Sequence, residues 1–111
     1  MLDGIENWKT QIRKGYLELC ILLMIQKHKR LYGFELLEKL ANSDLHVKEG
    51  TLYPMLNRMA VEKTLHAVWE TENVKGHPRK FYSVTKDGAK LVEEMKKEFE
   101  NMVHVFKNAQ K

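Results

Sequence analysis

The sequence has little cysteine, little proline and no long apolar run. Its single cysteine, Cys20, has no partner for a disulfide within the chain, which argues against an oxidising compartment. The longest apolar run covers residues 19–25, far short of the ~18 to 20 residues that a membrane-spanning helix needs. The first residues do not follow the charged, apolar and small-residue order of a secretory signal. We therefore expect a soluble, cytoplasmic protein with no membrane span.

Charge of one sign is not concentrated anywhere in the chain. The 111 residues carry 19 Lys and Arg against 15 Asp and Glu, a net charge of +4, and no segment is a basic block. This mild excess is typical of an ordinary solvated surface, so composition alone does not indicate nucleic acid. The length fits one compact domain, and 43% hydrophobic residues supply a core, which excludes a disordered or low-complexity chain.

Catalytic and metal-binding patterns are also lacking. The five histidines are scattered, no cysteine–histidine cluster has metal-ligand spacing, and no glycine-rich phosphate loop is present. Cys20 lies within an apolar run, which is typical of an inert buried thiol rather than a nucleophile or redox sensor. We predict no enzyme, no metal and no cofactor, so a small enzymatic or ligand-binding helical domain is disfavoured.

Apolar periodicity predicts four helices. They cover residues 5–29, residues 34–41, about ten residues beginning near Thr51, and residues 86 almost to the end. Pro54 places the start of the third helix within a turn before it, with Thr51 close to the N-cap. The first helix is apolar nearly all round beyond Leu19, which predicts a central, covered helix. The apolar stripes are Ile5, Trp8, Ile12, Tyr16, Leu19 and Leu23 in the first helix, Phe34, Leu37 and Leu40 in the second, and Leu52, Leu56, Met59 and Ala60 in the third.

β-Branched and aromatic residues around a connection with Asn, Gly and Pro predict a β-hairpin. Its strands cover residues 65–71 and 80–85. The order helix, helix, helix, hairpin, helix is that of a winged helix-turn-helix. The predicted fold is therefore mainly α with a small β-hairpin, divided into a winged helix-turn-helix DNA-binding domain over residues 1–85 and a C-terminal dimerisation helix over residues 86–111.

Four segments carry a resemblance to a known family. They are residues 15–19, 32–36, 49–59 and 79–88. In order and spacing they resemble the PadR family of bacterial transcriptional regulators over about residues 13 to 90, and the Gly-Thr-Leu-Tyr-Pro run is the specific part of the match. The single helix after the hairpin looks like the smaller of the family's two architectures, in which that helix builds the dimer with the first helix.

The chain departs from the family pattern after the third helix. Where the family often has a glycine, this sequence has Glu62-Lys63-Thr64. The left-handed residue that closes such a helix is therefore expected to be a non-glycine residue.

The third helix is the predicted reader of duplex DNA. The N-terminus of a helix in the major groove presents first-turn side chains to base edges and N–H groups to phosphate. In the alternative reading, Thr51 is only an N-cap and Tyr53 only a packing residue. We predict phosphate contacts from Lys48 and Arg58, hydroxyl donors from Thr51 and Tyr53, and a base contact from Asn57.

Tyr32 and the hairpin complete the predicted DNA contacts. The hydroxyl of Tyr32 is placed to fix a phosphate at the start of the second helix, although a core aromatic explains it equally well. The hairpin tip, which is either a DNA contact or a solvated loop, would enter the minor groove or clamp the backbone. Because strand residues alternate, one of Arg79 and Lys80 is expected to face inward. The predicted contacts at the tip are Lys75, His77, Arg79 and Lys80.

The last helix is the predicted dimer element, with intrachain packing as the alternative. The resemblance implies that many family members release DNA on binding aromatic acids or flat hydrophobic drugs, often where the first and last helices meet. The residues predicted to line such an effector site, for which core packing is again the alternative, are Trp8, Ile12, Tyr16, Leu19, Phe99, Met102, Val103 and Phe106.

These observations together predict a homodimeric, ligand-responsive repressor that binds a palindromic promoter operator. The alternative is a winged-helix module for protein–protein contact, which would show no salt-dependent binding of duplex DNA.

Overall fold

The winged helix-turn-helix prediction is confirmed by a computed structural model, which describes residues 2–71 and 78–111. The sheet is antiparallel in the order β1-β3-β2, so it has one strand more than the predicted hairpin. That strand has two residues, too few to show an alternating pattern. The elements are α1 (Leu2–His28), β1 (Leu31–Tyr32), α2 (Gly33–Asn42), α3 (Glu49–Val61), β2 (Leu65–Glu70), β3 (Arg79–Val84) and α4 (Lys86–Ala109).

The core surrounds the C-terminal half of α1. Ile21, Leu22 and Ile25 are completely buried, which confirms the prediction of a covered central helix. Every other element adds at least one side chain to the same cluster, so α1 holds the helices and the sheet together. These side chains are Leu31, Leu36, Leu40, Leu52, Leu56, Met59, Leu65, Tyr82 and Val92.

The N-terminal half of α1, unlike its C-terminal half, does not bury its apolar stripe. Ile5, Trp8, Ile12 and Tyr16 keep 46%, 58%, 53% and 42% of their surface exposed. Periodicity shows which face of a helix is apolar but not what covers it, and here little of the chain lies over that face. None of the helices within residues 2–71 and 78–111 combines the length and apolarity needed to cross a bilayer.

Helix α3 begins earlier than predicted. Its N-cap is Lys48 rather than Thr51, which is the third helical residue. Pro54 consequently lies in the second turn, where only the bond to the carbonyl of Gly50 is lost. The helix forms despite this one missing hydrogen bond. A proline therefore marks the start of a helix less closely than we assumed.

The end of α3 confirms the predicted left-handed residue without glycine. Lys63 has a φ of 66°. Its N–H donates to the carbonyl of Ala60 at 3.1 Å, and the N–H of Thr64 donates to the carbonyl of Met59 at 3.0 Å. This is a Schellman motif, which normally favours glycine at the left-handed position.

The start of α4 is attached to this junction. Thr85 caps α4 by accepting a hydrogen bond from the N–H of Gly88 at 2.9 Å. The same hydroxyl donates to the carbonyl of Lys63 at 2.7 Å. A Cβ on Gly88 would overlap the carbonyl oxygen of Thr64, so glycine permits this close approach. Helix α3, the sheet and α4 therefore meet at one junction.

Candidate nucleic-acid interface

A groove of about 400 Å³ lies between α3, the start of α2 and the strands β2 and β3. It gathers five of the residues that the sequence predicted as DNA contacts, from three separate segments of the chain. We term it the wing groove. The five are Tyr32, Tyr53, Asn57, Arg79 and Lys80, and the other lining residues are Gly33, Phe34, Trp69, Pro78 and Tyr82.

Aromatic rings hold the two cations of the wing groove. The ammonium of Lys80 lies 5.6 Å from the ring centre of Trp69 and 5.9 Å from that of Tyr82. The guanidinium of Arg79 lies 4.7 Å from the ring centre of Tyr32. Cation–π contacts of this kind restrain a charged head group without neutralising it. The rings therefore limit the positions that the two cations can take at the groove.

The two cations lie on opposite faces of β3, as strand alternation requires. Lys80 is half-buried on the face that it shares with the buried Tyr82, whereas Arg79 is exposed. Lys80 is thus the inward-facing member of the pair, yet it still lines the groove.

Tyr53 lies directly over Gly33. A Cβ on Gly33 would overlap the Tyr53 ring and lie 2.8 Å from its hydroxyl oxygen, so the ring reaches this position only because residue 33 is glycine. Burial raises the pKa of Tyr53, and the carboxylate of Glu49 raises it further. The phenol therefore stays protonated at neutral pH and remains a hydrogen-bond donor.

Tyr32 is held both by its backbone and by its ring. It is the N-cap of α2, and its backbone N–H donates to the Glu35 carboxylate at 3.1 Å. Its ring meets Phe81 edge to face at 5.4 Å between ring centres. The residue is half-buried by this packing and also lines the wing groove.

Three of the predicted contacts lie on the other side of α3. Lys48, Thr51 and Arg58 line a second groove of about 790 Å³, together with residues of α1 and of the α2–α3 connection. We term it the α1 groove. The guanidinium of Arg58 lies 2.7 Å from the carboxylate of Glu18 and 2.7 Å from that of Glu62. Its terminal nitrogens are therefore engaged within the protein, although 46% of its side-chain surface stays exposed.

The remaining two predicted contacts, Lys75 and His77, lie outside the described residues. Conversely, the wing groove contains two large exposed side chains that sequence reasoning missed, Phe34 and Trp69, with 55% and 60% of their surface exposed. Trp69 pairs across the hairpin with Lys80, so the register of the hairpin would have found it. Phe34 was predicted on the apolar face of α2, and no signal in the sequence indicates its exposure.

Helices α1 and α4 carry a shared exposed apolar surface. Tyr16 of α1 stacks on Phe99 of α4 with 5.6 Å between ring centres, which joins the two helices. Most of the residues predicted to line an effector site lie on this open surface. We term it the helix-pair face, consisting of Ile5, Trp8, Ile12, Tyr16, Phe99, Met102, Val105 and Phe106.

A metal-ligand cluster and a reactive cysteine are two features that could support catalysis. Within residues 2–71 and 78–111, no three His, Cys, Asp or Glu side chains are grouped to hold a metal ion. Cys20 is half-buried, and burial raises the pKa of its thiol. The group is therefore the protonated thiol at neutral pH rather than the reactive thiolate.

This chain is similar in sequence and in fold to known transcriptional regulators. The model of the transcriptional regulator PadR-like family matches residues 21–102. A PadR-like transcription factor from Bacteroides fragilis is 35% identical, with a TM-score of 0.79 over 93% of this chain and 98% of that one. A PadR-like regulator from Bacillus cereus is 32% identical, with a TM-score of 0.77 over 91% and 97% of the two chains. A PadR family regulator from Eggerthella lenta, at 22% identity, has the same fold with a TM-score of 0.88 over 98% and 94%.

The family match covers most of the chain and includes both α3 and the hairpin of β2 and β3, which we term the wing. The family consists of transcriptional regulators rather than enzymes. This chain belongs to the PadR-like family of transcriptional regulators.

Proposed function

We propose that the protein is a homodimeric repressor that binds a palindromic promoter operator through α3 and the wing. The observation that carries the proposal is the wing groove, which Tyr53 and Asn57 line together with two cations that contact aromatic rings. Cations and hydroxyls suit phosphate oxygens, and an asparagine amide suits the edge of adenine.

The two sides of α3 divide the predicted contacts. Asn57 and Tyr53 lie toward the wing, so a duplex in the wing groove would meet them together with Lys80 and Arg79. Lys48 and Thr51 lie at the first turn of α3, where helix N–H groups face outward. We assign these two to the adjacent backbone of the same duplex.

A second copy of the chain would cover the helix-pair face. Met102, Val105 and Phe106 keep 53%, 57% and 59% of their surface exposed, which is unfavourable for a lone chain in water. The residues 86–111 thus form the dimerisation element of the proposal, with the N-terminal half of α1 as its counterpart. Two-fold symmetry would present two wing grooves to two half-sites of one operator.

The proposed effector is a flat, hydrophobic small molecule bound at the same face. Trp8, Ile12, Tyr16, Phe99, Met102 and Phe106 offer aromatic and thioether groups, which adapt to flat ligands. Such a ligand would release DNA only if it prefers the dimer arrangement that does not fit the operator.

The test is a fluorescence anisotropy titration with the duplex upstream of the protein's own gene, at two or more salt concentrations. We expect specific binding that weakens with salt, because each neutralised phosphate contributes about 0.9 to the logarithmic slope. Lys80→Ala should weaken binding and reduce the slope by about 0.9 for each half-site. Asn57→Ala should weaken specific binding and leave the slope unchanged.

The matched control is Lys97→Ala, which removes the same charge from an exposed position on α4, away from the wing groove. Its affinity should follow that of the parent. A parent that binds no duplex at low salt would contradict the proposal and favour the protein–protein module instead. A reporter gene whose expression falls when the protein is removed would contradict the repressor assignment alone.

A further inference from the structure

Arg58 lies next to Asn57 in the recognition helix but faces the opposite groove. One residue advances a helix by about 100°, so neighbouring side chains point in different directions. Asn57 lines the wing groove, whereas Arg58 lines the α1 groove. A residue of the signature segment in α3 therefore does not face the wing groove merely because it belongs to that segment.

The guanidinium of Arg58 binds two carboxylates, one on α1 and one at the end of α3. Its Nη2 donates to Glu18 of α1, and its Nη1 donates to Glu62 at the end of α3, each at 2.7 Å. These short, charge-assisted bonds use the two ends of the planar guanidinium fork. The Glu18 side chain is the most sheltered of the three, with 24% of its surface exposed. The strongest bond is therefore the one that connects α3 to α1, across 40 positions of sequence.

The charge of this cluster does not suit a phosphate. One guanidinium and two carboxylates give it a net charge of −1. A phosphate brought to Arg58 would meet both carboxylates or would have to displace one of them. Displacement would leave a partly sheltered Glu18 beside a DNA anion, which is unfavourable.

We propose that Arg58 is a positioning residue, which sets the orientation of α3 on α1 through Glu18 instead of contacting DNA. The Glu18–Arg58 pair is termed the strut. Because α3 carries Asn57 and Tyr53, a small rotation of α3 about its axis would move both away from the duplex. Glu18 follows Tyr16 of the helix-pair face by two residues, so the strut also connects the proposed dimer surface to the recognition helix. The inference rests on the proposed function, since its readout is DNA binding.

The decisive variant is Glu18→Gln, because the strut and a phosphate contact predict opposite signs. If Arg58 contacted phosphate, removing a nearby carboxylate would release the guanidinium and tighten binding. If the strut orients α3, the same change weakens binding despite the loss of a negative charge. We expect a loss of roughly three- to tenfold, in the range seen for residues that act on a site through a neighbour.

Arg58→Gln and the double variant complete a double-mutant cycle. We expect Arg58→Gln to weaken operator binding as much as Glu18→Gln, and the double variant to be no weaker than either. The salt slope should equal that of the parent in all three. A phosphate contact by Arg58 in each half-site would instead lower the slope of Arg58→Gln by about 1.8 for the dimer. Glu62→Gln is the matched control, because it removes a carboxylate from the same guanidinium and leaves the strut in place.

Two results overturn the strut. One is equal or tighter binding by Glu18→Gln in a parent that binds its operator, and the other is additive losses in the cycle. If Arg58→Gln does not fold, the sign of the Glu18→Gln effect still decides. A parent without operator binding contradicts the proposed function, whereas a binding parent with an inert Glu18 contradicts the strut alone.

Discussion

The contact between Gly33 and Tyr53 shows how one missing methyl group shapes the interface. Gly33 is buried at the first position of α2, and the ring of Tyr53 occupies the space that a Cβ would take. The glycine therefore serves a close approach between α2 and α3 rather than an unusual backbone angle. Its effect is to place a protonated phenol at the wing groove.

Gly33→Ala should weaken operator binding by about tenfold, the loss expected when a hydrogen bond to a charged acceptor is broken. The new Cβ displaces the Tyr53 ring, while alanine favours the helix and limits the cost in stability. An anisotropy titration and a urea denaturation on the same sample measure both effects. Tyr53→Phe should show the same loss of affinity, because it removes the hydroxyl without placing a Cβ against the ring.

Gly4→Ala is the control for this substitution, since no atom lies near the site of its Cβ. It should leave operator affinity unchanged. Equal affinities of Gly33→Ala, Tyr53→Phe and the parent would show that Tyr53 has no part in binding.

For single residues, the sequence predicted which side chains line the candidate interface better than it predicted which side chains contact each other. Tyr53 and Asn57 follow from the signature segment, and both lie in the wing groove. Arg58 belongs to the same segment, but its partner Glu18 is 40 positions away. Local spacing contains no information on such a distant pair, and it contains none on the overlap that Gly33 avoids.

Among the elements, the helix ends are where the chain departs from common preferences. Lys29, Asp44 and Lys63 follow α1, α2 and α3, and all three have positive φ, at 73°, 62° and 66°. Glycine is the usual residue at such positions because a Cβ is strained there. The chain therefore forgoes some stability at each of these three helix ends.

Lys63→Gly should stabilise the protein by about 0.5 to 1 kcal/mol. It relieves roughly 1 to 2 kcal/mol of left-handed strain, offset in part by about 0.5 to 1 kcal/mol of added flexibility in the unfolded chain. The Schellman hydrogen bonds remain, since they use only backbone atoms. The free energy of unfolding from urea titration measures the change.

Ala60→Gly, three residues earlier and inside the same helix, is the matched control. There glycine should cost about 1 kcal/mol, because the backbone is already helical. A destabilising effect of Lys63→Gly would mean that the Lys63 side chain contributes more than the strain it causes.

Element types were predictable from periodicity, whereas element environments were not. The helix over residues 34–41 and the hairpin appear nearly as predicted, because capping and alternation are local signals. The stripe from Ile5 to Tyr16 has equally good helical spacing but stays exposed. An apolar stripe has the same spacing whether its own chain or another chain covers it.

At the scale of the molecule, the fold is more extended than a compact domain with the same number of residues. Its radius of gyration is 16.0 Å, against about 13 Å expected for this length. The greatest extent is 57 Å, and α1 and α4 are the two longest elements. The apolar side chains left exposed lie largely along these helices, so the shape and the surface both favour association of two chains.

Phe106→Asp should therefore convert a dimer into a monomer. Phe106 is 59% exposed, so the substitution costs little in the folded chain, but a carboxylate enclosed in an apolar interface weakens association by at least about tenfold. Light scattering should give twice 13.1 kDa for the parent and a lower, concentration-dependent mass for the variant. The melting temperature of the parent, but not that of a monomeric variant, should rise with protein concentration.

Lys97→Asp introduces the same carboxylate on the opposite side of α4, nine residues before Phe106. It should stay dimeric and keep its operator affinity, whereas Phe106→Asp should lose operator affinity because a monomer reaches only one half-site. A parent of 13.1 kDa at all concentrations would reject the dimer. A dimeric Phe106→Asp would place the interface elsewhere. Both variants add negative charge to α4, but only Phe106→Asp does so on the apolar face. If both variants lost association, the cause would be the change in net charge rather than the apolar face.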